Sequence, residues 1–378
     1  MRLKLGLIGY PIQHSLSPWI HNRFLEKAGT DGQYSLFEIS PEDSFEKKLE
    51  HLKTSEINGL NVTVPYKQQI IPYLDELDWK AEMTGAVNTV VSNNGKWIGY
   101  NTDGTGYVRG LKEKYPSVFR DTSNRILILG AGGAARGIYQ ALAAEGFSRI
   151  DIANRTPSSA EAIAQSGNGG VQTAVLGLHE AGESLGHYSL IVQTTAVGMK
   201  PNAEEQIISL EHLDADSIVS DIIYQPLTTS LLQEARRRGA SIHYGHTMLL
   251  YQAQYAFQLW TSEKVPICDM EQQLKTYWKE DNMLTGKQKR QLRSMAHHEK
   301  PIFQVGKTGV NDNMIHQIGD ALEKRELLKV SILQNCLEDK HTVAEKLEAG
   351  TGAEVVQIIG NNIVLYKESM ENKQIQLP

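Results

Sequence analysis

Residues 125–137, RILILGAGGAARG, run from an unbroken apolar strand straight into a glycine-rich turn, and this junction constrains the fold more than any other segment. A strand with no polar face is expected where helices cover a parallel sheet on both sides. The glycines of Gly130-Ala131-Gly132-Gly133-Ala134 allow a tight turn and close backbone approach, and the helix that follows presents unpaired N–H groups at its start. In a strand–turn–helix context these features together predict a pyrophosphate-binding turn, with Gly130, Gly132, Gly133 and Ala134 as its contacts.

The next strand ends in Asn154-Arg155-Thr156, with no acid at its tip to hold a ribose 2′-hydroxyl. Arg155 can instead pair with a 2′-phosphate through a charge-assisted fork. Asp151 lies inside the strand rather than at its end. The predicted cofactor is therefore NADP, with Asn154, Arg155 and Thr156 around the adenosine phosphate.

The same alternation extends over most of the chain. Strands are predicted at 3–9, 34–39, 58–64, 125–130, 149–153, 189–193, 217–221 and 240–243. Helices are predicted at 17–28, 42–53, 108–120, 132–145, from 157, at 228–238 and at 248–261. Such βα repetition argues for mostly parallel sheets. Ser17-Pro18 reads as a hydroxyl cap followed by proline in the first turn. With 378 residues, two or three domains are expected at roughly 100–200 residues each. A net charge of −6 argues against nucleic-acid binding by the whole surface. The two cysteines, Cys268 and Cys336, lie far apart and offer no metal-ligand spacing, so no metal is expected. The short apolar stretch at the start is broken by Pro11, and no apolar run reaches membrane-spanning length. A cytoplasmic protein is expected.

Polar side chains gather in four short clusters: Ser15 and Ser17; Asn61 to Lys67 (NVTVPYK); Gly85 to Thr89 (GAVNT); and Asn101 to Gly104 (NTDG). Gln252 adds a fifth position on the long helix near 248–261. Each alone has a structural alternative: Ser17 or Asp103 as a helix cap, Asn88 as a turn residue, Lys67 as a surface lysine. With GAGGAARG, NRT, DIIYQP and GHTMLLYQA, these clusters occur in the order in which similar strings occur in the shikimate dehydrogenase family, which residues 3–275 closely resemble. The resemblance implies NADPH-dependent, reversible reduction of 3-dehydroshikimate to shikimate. It implies Lys67 and Asp103 as the catalytic pair, and Ser15, Ser17, Asn61, Thr63, Asn88, Tyr224 and Gln252 as substrate ligands. Ile222, Gly245 and Met248 are implied as neighbours of the nicotinamide. Gln193 departs from the asparagine frequent at its position in the family. The implied architecture is α/β: a discontinuous substrate domain (1–105, completed by 238–278) and a Rossmann-like NADP domain (106–237). Two alternatives stay open, a quinate-preferring dehydrogenase and an inactive dehydrogenase fold carrying an RNA binder.

Residues 279–285 are polar and read as a linker. Residues 283–378 resemble the small CRM-type RNA-binding proteins associated with ribosome assembly through LTGKQKRQLRSMAH, PIFQVGKTGV, ALEKRELLKVSI and IVLYK, with the domain itself expected at 286–378. That resemblance implies a small α/β domain and a ribosomal RNA partner. Gly306-Lys307-Thr308-Gly309 lies between a short strand (302–305) and a helix (311–323), where two glycines let backbone N–H groups and the lysine approach phosphate. Lys287, Lys289, Arg290 and Arg293 form a basic cluster suited to the RNA backbone.

Overall fold

The structure is a computed structural model and describes residues 2–166, 170–199, 202–281, 284, 286–369 and 373–377. The chain divides into two compact units, Met1–Gln272 and Gln273–Pro378.

The first unit holds two six-stranded sheets. One is built from β1 (Leu3–Gly9), β2 (Gly32–Glu38), β3 (Gly59–Val62), β4 (Glu76–Leu77), β5 (Thr89–Asn93) and β6 (Lys96–Tyr100), in the order β2-β1-β3-β5-β6-β4. Helices α1 (Ser17–Ala28), α2 (Phe45–Thr54) and α3 (Trp79–Thr84) lie between its strands in the chain. Mostly parallel pairing was expected, but β3–β5 and β5–β6 are antiparallel. The β5–β6 reversal has a local cause. Asn94 and Gly95 both take positive φ (52° and 82°), the backbone of a two-residue hairpin turn that reverses the chain between β5 and β6. The start of α1 also differs from expectation. Leu16 occupies the cap position with no side-chain hydrogen bond, Ser17 is the first helical residue, and Ser15 Oγ accepts the Ser17 N–H at 3.2 Å. The Ser17 hydroxyl is thereby released from capping.

The second sheet follows α4 (Asp103–Lys114). It contains β7 (Ile126–Leu129), β8 (Ile150–Ala153), β9 (Val175–Leu176), β10 (Leu190–Gln193), β11 (Ile218–Asp221) and β12 (Ser241–His243), ordered β12-β11-β10-β7-β8-β9 and parallel throughout. Helices α5 (Gly133–Ala144), α6 (Pro157–Gln165), α7 (Leu178–Glu183) and α8 (Ser230–Arg237) connect its strands. Strand β7 is fully buried; Ile126 and Ile128 enter one apolar cluster while Leu127 and Leu129 enter the other. Two-sided burial accounts for the absence of polar alternation in RILILG.

Helix α9 (Gly245–Thr261) returns to the first sheet, where Trp260 Nε1 donates to the Val90 carbonyl at 2.9 Å and Phe257 packs on Phe24. It begins at Gly245, earlier than the expected Met248, and Gly245 seats directly against the Ile222 and Ile223 carbonyls, where a side chain would clash. Helix α10 (Met270–Asp281) extends into the segment expected to be a linker. Lys279 and Glu280 are good helix formers, which suits this extension; Asn282, Met283 and Thr285 lie outside the described residues.

In the second unit, α11 (Gly286–Ala296), β13 (Phe303–Val305), α12 (Asp312–Arg325), β14 (Leu327–Ile332), α13 (Lys340–Thr351), β15 (Glu354–Ile359) and β16 (Asn362–Tyr366) form a four-stranded mixed sheet, β13-β14-β16-β15, with its helices. Leu322, Leu347 and Ile363 centre the main core; Leu292 and Ala296 of α11 join Val364 and Ile375 in a second cluster. Buried Glu326 accepts backbone N–H groups from Ser369 (2.9 Å), Gln374 (2.7 Å) and Ile375 (2.6 Å), tying the C-terminal segment down.

Candidate functional site

Strand β3 ends at Val62, and the chain then turns. Tyr66 N–H bonds to the Thr63 carbonyl, and the Lys67 carbonyl is held by Val87 N–H at 2.8 Å. Lys67 Nζ thereby comes within 2.5 Å of Asp103 Oδ2. Asp103 opens α4 but does not cap it. The cap position belongs to Thr102, and the Asp103 N–H bonds to Asn101 Oδ1 at 3.1 Å, so the carboxylate is free for other partners. Its second oxygen, Oδ1, accepts Asn88 Nδ2 at 2.8 Å. Asp103 is 6% exposed, and both its oxygens are occupied by donors suited to an ionised carboxylate.

Asn88 connects this pair to the other polar clusters. Its Oδ1 accepts Thr102 N–H (2.9 Å) and Thr89 Oγ1 (3.0 Å), and its Nδ2 stands 3.5 Å from Gln252 Oε1. Asn61 reaches the Asn88 carbonyl and Thr89 Oγ1, each at 3.2 Å. The Ser17 hydroxyl lies within reach of the buried Tyr34 phenol, whose oxygen donates to Asn61 Oδ1 at 2.7 Å. The Thr63 methyl packs against Gly9. The structure thus joins Lys67, Asp103, Asn88, Asn61, Gln252 and Ser17 into one group. Tyr224 follows β11, with its phenol pushed up by burial.

Helix α4 holds this group beside the glycine turn. Gly104 faces the Gly137 carbonyl of α5, and a methyl at Gly106 would stand 2.5 Å from the Gln252 backbone nitrogen of α9. Only residues without side chains allow these helices to approach so closely. At the turn, Gly130 has φ +109°, and a side chain there would meet Thr194 and Thr195. Gly132 and Gly133 face open space, and α5 starts at Gly133 with no side-chain cap. A phosphate can therefore approach N–H groups that no side chain satisfies.

Arg155 is exposed, and among the described residues its guanidinium has no hydrogen-bond or ion-pair partner. Asn154 Nδ2 braces the Thr156 carbonyl at 2.9 Å. Asp151 is occupied elsewhere: it accepts Arg125 (2.7 Å), Tyr188 (2.9 Å) and the Ala174 N–H (2.8 Å). Ile222, Gly245 and Met248 sit together, Gly245 on the Ile222 carbonyl and Met248 in the cluster that Ile222 packs against. Gln193 is fully buried and ties its own loop through Thr195 and Val197, so the departure at this position is satisfied internally. Nearby, Asp221 accepts Ile223 N–H and Thr229 Oγ1, yet burial pushes its carboxyl up to about 6.

Sequence reasoning passed over Thr102, Thr89, Tyr34 and His21. Thr89 and Thr102 stood inside the quoted strings, each beside a residue that was singled out. Tyr34 and His21 carried no local signal, since β2 and α1 read as ordinary packing elements.

In the second unit, Lys287, Arg290 and Arg293 are exposed on α11, as is Lys307 in the turn closed by Gly309 N–H to the Gly306 carbonyl. Lys289 differs from the expected basic cluster. It is half-buried and paired with Glu354 at 2.7 Å. The spacing carried that signal, since Lys289 shares the face of Leu292 and Ala296, which point into the core. The Gly309 α-carbon, at φ +67°, lies against the Glu338 carboxylate, which also pairs with Lys346.

Family profiles match the chain in four places. They are the shikimate dehydrogenase substrate binding domain over 7–90, shikimate / quinate 5-dehydrogenase over 114–219, the shikimate 5′-dehydrogenase C-terminal domain over 245–275, and the CRS1 / YhbY (CRM) domain over 284–367. A shikimate dehydrogenase (NADP(+)) of Oceanobacillus iheyensis is 54% identical over 274 residues, 72% of this chain and 98% of that protein. The crystal structure of shikimate dehydrogenase from Aquifex aeolicus is similar at 39% identity and TM-score 0.66, over 72% of this chain and 97% of that one. Shikimate 5-dehydrogenase from Thermus thermophilus, solved with NADP(H) and shikimate, is similar at 31% identity and TM-score 0.64, over 71% and 97%.

Proposed function

The chain belongs to the shikimate dehydrogenase family, and on that premise we propose which of its residues perform the family's reaction and what its C-terminal unit binds. The activity is the reversible, NADPH-dependent reduction of 3-dehydroshikimate to shikimate, joined in one chain to an RNA-binding domain of the CRM type.

The observation that carries the residue assignment is the Lys67–Asp103 pair, locked by Asn88 on a helix that also packs on the cofactor-side helix. NADPH supplies the hydride to the ketone carbon. Negative charge then grows on the ketone oxygen; the Lys67 ammonium stabilises it and delivers the proton. Asp103 keeps the ammonium in place, and Asn88 keeps Asp103 from turning away. Ser15, Ser17, Asn61, Thr63, Asn88, Tyr224 and Gln252 offer the donors and acceptors that a polyhydroxylated carboxylate requires. The uncapped N–H groups at Gly132–Gly133 suit the pyrophosphate, and unpartnered Arg155 suits the 2′-phosphate. The substrate domain then comprises residues 1–105 with 245–272, and the cofactor domain 106–244; the bounds expected from the sequence, 238–278 and 106–237, are shifted because β12 (Ser241–His243) pairs with β11 in the second sheet and the first unit ends at Gln272.

In the C-terminal unit, Lys287, Arg290, Arg293 and the Gly306–Gly309 turn with Lys307 are assigned to the backbone of ribosomal RNA, while Lys289 is assigned to the fold. The cytoplasm, where NADPH and RNA are both at hand, is the proposed compartment. The residue assignment is tested by steady-state kinetics of Lys67→Ala. Turnover should fall by roughly 10²–10⁴-fold, with a much smaller change in shikimate binding. Near-normal turnover would remove Lys67 from the mechanism.

A further inference from the structure

The Lys67–Asp103 pair is the end of a longer hydrogen-bonded series that begins in β2, and each link in it has a fixed direction. Tyr34 Oη donates to Asn61 Oδ1 at 2.7 Å. Asn61 Nδ2 donates to Thr89 Oγ1 at 3.2 Å, and Thr89 Oγ1 donates to Asn88 Oδ1 at 3.0 Å. Asn88 Nδ2 donates to Asp103 Oδ1 at 2.8 Å, and Asp103 Oδ2 receives Lys67 Nζ at 2.5 Å.

The two amides have no freedom to turn over. Asn61 Nδ2 also faces the Asn88 carbonyl at 3.2 Å, a group that can only accept. Asn61 must therefore present its oxygen to Tyr34, and Tyr34 must donate. Asn88 Oδ1 receives the Thr102 N–H at 2.9 Å, a group that can only donate, so its nitrogen must face Asp103. Thr89 stands between the two amides, accepts from the first and donates to the second. Thr89 is fully buried and Tyr34 is 3% exposed, so water does not substitute for either hydroxyl without rearrangement.

The outer end is braced in turn by an imidazole. His21, one helical turn beyond Ser17, is fully buried and stacks on Tyr34 at 4.4 Å with an 8° interplanar angle. Phe24 and Trp260 close on the same ring. The stack fixes the phenol ring in its plane, and with it the point from which the hydroxyl donates.

We infer that Thr89 and Tyr34 are positioning residues for the dehydrogenase reaction, acting through Asn61 and Asn88 to hold Asp103 and Lys67 in register with the substrate. The inference rests on the function proposed above. Neither residue needs to touch substrate or cofactor: backbone partners fix which way each amide faces, and the two hydroxyls complete the bonds that hold those amides in place.

The test compares Thr89→Val with Thr89→Ser in the intact protein. Valine keeps the volume and removes the hydroxyl; serine keeps the hydroxyl and removes a methyl. Thr89→Val should lose on the order of ten- to hundredfold in kcat/KM for shikimate, mostly in kcat, with the NADP KM unchanged. Thr89→Ser should stay within about threefold of the parent protein. Loss of activity in both variants alike would mean that packing matters and the hydroxyl does not, and would overturn the inference. So would a Thr89→Val enzyme as fast as Thr89→Ser. If Thr89→Val does not fold, Tyr34→Phe decides: the same kcat-weighted loss supports the series, and parent-like kinetics overturn it. A parent protein that does not oxidise shikimate would instead defeat the proposed function.

Discussion

Gly104 of α4 lies directly against the Gly137 carbonyl of α5, so that the helix carrying Asp103 and the helix that follows the glycine turn meet backbone to backbone. A methyl group at position 104 has no space, because the atom it would strike is main chain and cannot rotate away. Gly104→Ala should lower stability by about 1–3 kcal/mol through overpacking. It should also reduce kcat/KM, since Asp103 moves with its helix. Thermal unfolding and shikimate kinetics on the same preparation check both effects; an alanine variant that matches the parent in both would show that the helices separate without consequence.

Arg155→Ala should raise the NADP Michaelis constant roughly 10–100-fold, as expected for loss of a charged hydrogen bond to phosphate. The constant for NAD, which has no 2′-phosphate, should hardly change. A variant that loses both cofactors equally would point to a damaged loop rather than a lost phosphate contact.

Two of the buried histidines, His21 and His243, should make the dehydrogenase unit sensitive to acid. Burial lowers both His21 and His243 from 6.5 to about 3. His243 sits between Ser220 Oγ and Thr247 Oγ1, each at 2.9 Å. A ring that is neutral when folded and protonates near 6.5 when unfolded contributes stability that is complete above about pH 6.5 and is lost as pH falls toward 3. The slope is about 1.4 kcal/mol per pH unit for each ring once the unfolded form is protonated. His243→Gln, whose amide can still meet both hydroxyls, should be less stable at pH 7 but lose less between pH 7 and pH 5. Urea midpoints at the two pH values give the comparison, and an unchanged difference between them would contradict the assignment.

On α11 the lysines and arginines divide by face. Lys287→Ala, Arg290→Ala and Arg293→Ala should each weaken RNA binding and reduce its salt dependence by about one counterion. Lys289→Ala should instead lower the melting temperature, because it leaves Glu354 half-buried without its partner. Gel shifts at two salt concentrations, with melting curves, separate the groups. If Lys289→Ala behaves like the other three, the face assignment is wrong.

The parts of this molecule that could be read from its sequence are those where a local pattern has one physical solution. RILILGAGGAARG could be little else than a buried strand entering a phosphate-binding turn, and the alternation 189–243 likewise fixed a parallel sheet. The Asn94-Gly95 pair is a hairpin signal of the same local kind, and it brings the antiparallel β5–β6 pairing of the first sheet. Lys67 and Asp103 were legible only through resemblance, since 36 positions separate them and nothing in their spacing brings them to 2.5 Å. Tyr34 and Thr89 were illegible for a different reason. A buried tyrosine in a strand and a threonine after an asparagine are commonplace, and their importance exists only once three strands bring their hydroxyls to the same amides.

The rate at which the intact protein reduces NADP in the presence of shikimate, followed as NADPH absorbance, decides the assignment of activity and of Lys67 together. Shikimate with NADP should give rapid turnover, quinate in its place much slower turnover, and Lys67→Ala almost none. Absence of NADPH formation from shikimate by the folded parent protein, or an equal rate in Lys67→Ala, would contradict it.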